Sequence, residues 1–132
     1  MTVTDVERPD RDLAHLHPEL AAAWLKIEDV MRKLGSPMKI VEGRRSSARQ
    51  AWLYEQGRTR PGKKVTWAKP GTGKHEPGPD GLGWALDAAF EGPDPYAESH
   101  PWDTYGRLAE QEGLTWGGRW TKNPDRPHIQ LA

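Results

Sequence analysis

Gly83-Trp84-Ala85-Leu86-Asp87-Ala88-Ala89-Phe90 is an apolar run interrupted by one acid. With a period of two, it predicts a strand over residues 84–90 with two unlike faces. Trp84, Leu86, Ala88 and Phe90 make one face, broad and apolar, suited to a core. Ala85, Asp87 and Ala89 make the other, where a carboxylate between two small residues leaves space for something to bind. The stretch Pro127-His128-Ile129-Gln130-Leu131 divides the same way, with His128 and Gln130 on one face and Ile129 and Leu131 on the other. Two such strands imply a sheet with core on one side and chemistry on the other.

Helical segments flank these strands. His17-Pro18-Glu19 opens a helix, with Pro18 suited to the first helical position and Glu19 to the positive end of the dipole. Leu20, Trp24, Ile27, Met31 and Leu34 then recur at helical spacing until Gly35 and Pro37 stop it. A short strand is predicted over residues 38–41, ending in Glu42-Gly43. A second helix is predicted over 47–56, burying Ala48, Ala51 and Trp52. A third covers 101–112, with Ser99 as a cap and Gly113 past its end. Another short strand lies around Leu114-Thr115-Trp116. Helices followed by irregularly spaced strands predict an α+β fold, a small antiparallel sheet flanked by helices in a single domain. Residues 1–14 are polar and predict a flexible N-terminal arm, which leaves 15–132 as the folded unit. Residues 57–83 are rich in Gly, Pro and Lys, and an irregular stretch of that length in a compact domain is usually functional.

Composition narrows the function classes. The chain has 132 residues, the size of one domain, and its 14 Gly and 12 Pro predict many loops. Seven Trp supply large apolar faces that a disordered chain would lack. Lys and Arg total 19, as do Asp and Glu, and this balance argues against a nucleic-acid binder, which carries a basic excess. Without cysteine there is no disulfide framework and no thiolate ligand, so any metal must rest on His and carboxylates. No apolar run is long enough to span a membrane and the N-terminus lacks a signal-peptide-like stretch, so no membrane insertion and a cytoplasmic origin are expected.

Three groups then stand out: His75 near the end of the long loop, Asp87 on the small-residue face and His128 on the polar face of the last strand. Two imidazoles and one carboxylate, with a fourth position left to water, suit a catalytic zinc ion. Asp125 precedes His128 by three residues, and Pro127 keeps that segment out of a helix, so Asp125 sits on the turn where it can exchange protons with water and a leaving amine. Arg44 or Arg45, after the first strand, is placed to face a developing oxyanion. His15, His17 and His100 read as surface or helix-entry residues.

Longer stretches carry a resemblance. Glu42-Gly43-Arg44-Arg45-Ser46, the helix end Gln50-Ala51-Trp52-Leu53-Tyr54-Glu55-Gln56-Gly57-Arg58, Gly83-Trp84-Ala85-Leu86-Asp87, Trp116-Gly117-Gly118 and Asp125-Arg126-Pro127-His128-Ile129-Gln130 occur in the order found in the zinc peptidoglycan peptidases of phage lysis. From about Ile40 to the C-terminus the chain resembles these L-alanyl-D-glutamate endopeptidases (endolysins), which are related to D-alanyl-D-alanine carboxypeptidases and share the hedgehog fold. The resemblance implies His75, Asp87 and His128 as ligands of one zinc ion per chain, Asp125 as general base and acid, and Arg45 as transition-state stabiliser. It also suggests Trp116, with Trp120, and Gln130 as substrate-binding residues. Gly73 stands where the family has Ser, and the twelve residues from His75 to Asp87 exceed the family's spacing. The excess falls in residues 76–82 and makes Asp80 a rival ligand. Asp87 is preferred because it keeps the Gly-x-Ala context and has a strand to hold it.

The expected protein is thus a monomeric phage-type lysin that cleaves the stem peptides of bacterial peptidoglycan, at the L-Ala–D-Glu bond. It would stay in the host cytoplasm until lysis and then act at the cell wall. A D-Ala–D-Ala carboxypeptidase is the alternative, and a non-catalytic, zinc-stabilised binding domain is the rival from another class.

Overall fold

A computed structural model of the chain describes residues 6–132. Its elements are α1 (Pro18–Lys33), β1 (Met38–Glu42), α2 (Ser47–Glu55), β2 (Ala85–Phe90), α3 (Trp102–Gln111), β3 (Thr115–Trp116) and β4 (His128–Gln130), with single 3-10 turns at Leu13–His15 and Gly117–Arg119. The four strands form one antiparallel sheet in the order β1-β2-β4-β3. The α+β architecture is therefore the one the sequence predicts.

Of the expected N-terminal arm, residues 1–5 lie outside the described residues. From Val6 onward the segment is hydrogen-bonded to β1 and its neighbours. Arg49 Nη1 donates to Val6 O at 2.7 Å, Gly43 N to Asp10 O at 2.7 Å and Arg11 Nε to Val41 O at 3.0 Å.

Helix α1 begins where His17 Nδ1 accepts the Glu19 N–H, with Pro18 in the first turn. It ends in a Schellman turn: Ser36 N donates to Met31 O and Gly35 N to Arg32 O, with Gly35 at φ 85°. That turn carries Leu34 off the apolar stripe, so Leu34 is 62% exposed rather than buried. Leu20, Trp24, Ile27 and Met31 pack with Leu86, Ala88 and Phe90 of β2, Ile129 of β4, and Trp102, Tyr105 and Ala109 of α3. Trp84 leaves this face. It lies before β2, half-buried, and its indole N–H donates to Asp80.

Helix α2 departs further from expectation. Its buried residues are Arg49 and Gln50, whereas Ala48 is exposed and Ala51 and Trp52 are only half-buried. Ser46 caps its N-terminus by accepting from Arg49 N. A helix that turns its polar side inward faces a site, not the core. At the end of the molecule, α3 starts at Pro101 without a side-chain cap, so Ser99 has no capping role.

Candidate metal centre and cleft

The register of the sheet brings two of the predicted residues together. Asp87 on β2 is the direct cross-strand partner of His128 on β4, so both side chains stand on the same face. His128 Nδ1 is 3.3 Å from Asp87 Oδ1. His75 arrives from the long loop and is fixed at two points: its carbonyl accepts Arg45 N at 2.6 Å, and its ring Nδ1 lies 2.8 Å from Gly43 O. Its Nε2 is then 3.3 Å from Asp87 Oδ2 and 3.2 Å from His128 Nδ1. Ligand atoms of the three residues lie within 4.8 Å of one another.

Second contacts set the proton positions. A carbonyl only accepts, so His75 Nδ1 carries the hydrogen bonded to Gly43 O and Nε2 keeps its lone pair. His128 Nε2 donates to Gln130 Oε1 at 2.7 Å, so Nδ1 keeps its lone pair. Two lone pairs and a carboxylate thus converge without an intervening donor, and Asp87 Oδ1 is buried without a hydrogen bond. Such a donor set fits a divalent cation, and its all N/O character suits zinc. Burial opposes the charge on Asp87, but His75 and His128 outweigh it and hold its carboxyl well below the usual range. For His128, burial likewise disfavours the charged ring, yet the neighbouring Asp87 carboxylate raises its affinity for a proton.

The long loop is ordered by side chains from α2 and by Arg58 at its own start. Gln50 Nε2 donates to Thr66 Oγ1 and to Ala68 O, Arg58 Nη1 to Thr66 O, and Ser47 Oγ to Glu76 Oε2 at 2.6 Å. Glu76 also accepts Gly71 N. Residues 76–82 loop out from the ligands. There Asp80 accepts from Leu82 N and Trp84 Nε1, so the rival ligand is engaged elsewhere.

A cleft of about 610 Å³ opens over the three residues. Arg45, Gln50, Trp120, Asp125 and Gln130 line it as well, along with Val65 to Ala68 of the loop. Asp125 is brought in by core aromatics: Trp116 Nε1 donates to Arg126 O and Tyr105 Oη to Pro127 O, both at 2.8 Å, while Asp125 N donates to Gly117 O. Burial, and then the negative charge of Asp87, push the Asp125 carboxyl above its ordinary value. Trp116 does not wall the cleft as expected. It is 3% exposed, wedged against Gly106 and Gly118, where a Cβ would overlap its ring. Trp120 does line the cleft, and Gln130 lines it with its carbonyl oxygen turned to His128.

Arg45 sits at the back of the cleft, 3.7 Å from Asp87 Oδ2, and Arg44 instead reaches out to Gly81 O and Asp10. The sequence reading gave no role to Glu42, which pairs with Arg45 and Arg49, or to Gln50, which bonds Arg45. Only the buried face of α2, polar at Arg49 and Gln50, signals them.

An antiparallel sheet with two histidines and an aspartate gathered at the floor of a cleft could hold a metal ion, and comparison with known proteins names the family. The profile of the D-alanyl-D-alanine carboxypeptidase family matches residues 72–131, the stretch that holds His75, Asp87, Asp125 and His128. The peptidoglycan L-alanyl-D-glutamate endopeptidase CwlK of Bacillus subtilis (strain 168) is 30% identical over 127 residues, which cover 88% of this chain and 73% of that protein. The chain belongs to this peptidase family, M15. Among solved structures it is similar to the L-Ala D-Glu endopeptidase ChiX of Serratia marcescens, with a TM-score of 0.60 and 26% identity over 96% of this chain and 88% of that one. It shares its fold with a variant of the vancomycin-resistance D,D-pentapeptidase VanY in complex with Zn(II), with a TM-score of 0.64 and 16% identity over 88% of this chain and 72% of that one.

Proposed function

We propose that the protein is a zinc-dependent peptidase that hydrolyses the stem peptides of bacterial peptidoglycan at the L-Ala–D-Glu bond. The observation that carries the proposal is the convergence of two imidazole lone pairs and an unpartnered carboxylate oxygen at the floor of the cleft. His75, Asp87 and His128 would hold one zinc ion. Zinc bound there would polarise a carbonyl and lower the pKa of its water to about 7. Asp125, its affinity for protons raised, takes a proton from the attacking water and returns it to the leaving amine. Arg45 donates to the oxygen that gains charge as the carbonyl becomes tetrahedral. Trp120 and the Val65–Ala68 segment form walls against which a peptide is laid.

The choice of bond is supported by the likeness to CwlK and ChiX, both named for L-Ala–D-Glu cleavage. The carboxypeptidase description of the matched family favours removal of terminal D-Ala as the second reading. The phage-like helix end at residues 50–57 supports the reading as a lysin.

Digestion of purified sacculi, read by mass spectrometry of the released fragments, tests the bond. New D-Glu amino termini are expected. Loss of single D-Ala residues would overturn the endopeptidase in favour of the carboxypeptidase. Zinc-loaded protein that releases nothing would overturn both and leave a binding domain.

A further inference from the structure

β1 is an edge strand, yet it carries a buried carboxylate, Glu42, held by two arginines. Its pairing with β2 runs Met38↔Phe90, Lys39↔Ala89, Ile40↔Ala88, and continued regularly it would set Val41 opposite Asp87. The register shifts between Ile40 and Glu42, so that Glu42 stands opposite Asp87 instead. A bulge of this kind re-aims a side chain across the sheet. Here it turns a carboxylate, 5% exposed, toward the cleft face.

Glu42 Oε1 accepts from Arg45 Nη2 at 2.8 Å and from Arg49 Nη2 at 3.2 Å, and Oε2 accepts from Arg49 Nε. Arg45 Nη1 donates to Gln50 Oε1 at 2.8 Å. Both terminal nitrogens of Arg45 are therefore tied, while its buried Nε–H has no partner. Buried donors are rarely left unpaired, and this one belongs to a side chain that lines the cleft. Stability alone does not call for this arrangement, because well-packed apolar residues commonly serve as well as a buried ion network.

We propose that Glu42 is a positioning residue, set on the cleft face by the β1 bulge, which clamps Arg45 so that the guanidinium stays beside Asp87 at the back of the cleft. The inference rests on the peptidase reading above and deepens it. Glu42 acts through Arg45 and touches no substrate itself. Arg49 balances the second half of the carboxylate, and its Nη1 bond to Val6 O ties the same network to the segment before α1.

A double-mutant cycle tests this, with Glu42→Gln, Arg45→Lys and the double variant, each zinc-loaded and assayed on a soluble muropeptide. Glu42→Gln is expected to lower kcat by about 10- to 100-fold, with KM within about threefold and zinc content unchanged. In the Arg45→Lys background, the same change should alter kcat by less than about twofold, because its target is gone. The Arg45 Nε–H resonance, seen by 15N NMR, should shift or broaden in Glu42→Gln. Additive losses, an unmoved resonance, or wild-type kcat in Glu42→Gln would each overturn the proposal while the peptidase reading stands. Zinc-loaded wild type that cleaves nothing would overturn the reading and this inference with it. If Glu42→Gln does not fold, Glu42→Asp, which keeps the charge but withdraws it by one methylene, runs the same cycle with the same deciding outcomes.

Discussion

A neutral imidazole has one lone pair, and each site histidine has its other nitrogen tied, His75 to Gly43 O and His128 to Gln130 Oε1. These second contacts decide which atom faces the centre. Gln130→Leu removes the acceptor that fixes the His128 tautomer, and zinc affinity is expected to fall by about 10- to 100-fold in a competition titration with a chromogenic chelator. Asp125→Ala should keep zinc and lose activity by about 10²- to 10⁴-fold, since the ligands are untouched and only the proton carrier is gone. Glu42 governs a pH effect of another kind. Burial opposes its charge, but the hydrogen bonds from Arg45 and Arg49 prevail and hold its carboxyl below the ordinary value. The unfolded chain therefore binds the proton more readily, and the stability Glu42 contributes is fully present above about pH 4.3 and is lost as pH falls through the lower folded value. Urea midpoints should drop across that window in the wild type, with a shallower drop in Glu42→Gln.

At the scale of elements, β2 and β4 were legible from their two-faced patterns, and the pattern works because a strand alternates and a sheet aligns neighbours. Asp87 and His128 fell out of it together. Helix α1 was legible for the same reason, apart from Leu34, which a left-handed glycine turn removes from the stripe. What stayed hidden depends on contacts distant in sequence. The bulge in β1 shows only in its pairing with β2, and the polar inner side of α2 makes sense only once the Glu42 network and the loop are in place. Trp116 misled because aromatic bulk suits a cleft wall and a core equally. Its burial is set by Gly106 on α3, where a Cβ would strike the ring. Gly106→Ala is thus expected to destabilise by about 1–3 kcal/mol in chemical unfolding, as overpacking does. Tyr105→Phe removes one of the two donors to the Pro127 carbonyl, which keeps Ala88 N, and should cost about 0.5–1.5 kcal/mol, while loosening the turn that carries Asp125.

For the molecule as a whole, the site is assembled from three distant segments: the loop at His75, β2 at Asp87 and β4 at His128. Order in so long a loop comes from polar ties to α2 and from the clamp on His75, not from a core of its own. No helix among the described residues is long and apolar enough to cross a membrane. If a metal held by His75, Asp87 and His128 drives the peptidase reaction, stripping and reloading it must switch the activity off and on. Protein freed of metal by a chelator, then given one equivalent of zinc, is assayed for release of peptides from sacculi beside Asp87→Asn treated identically. The expected result is no release from the stripped protein, restored release on adding zinc, and neither tight zinc binding nor release in Asp87→Asn. Release that persists through stripping, or that returns in full in Asp87→Asn, would contradict it.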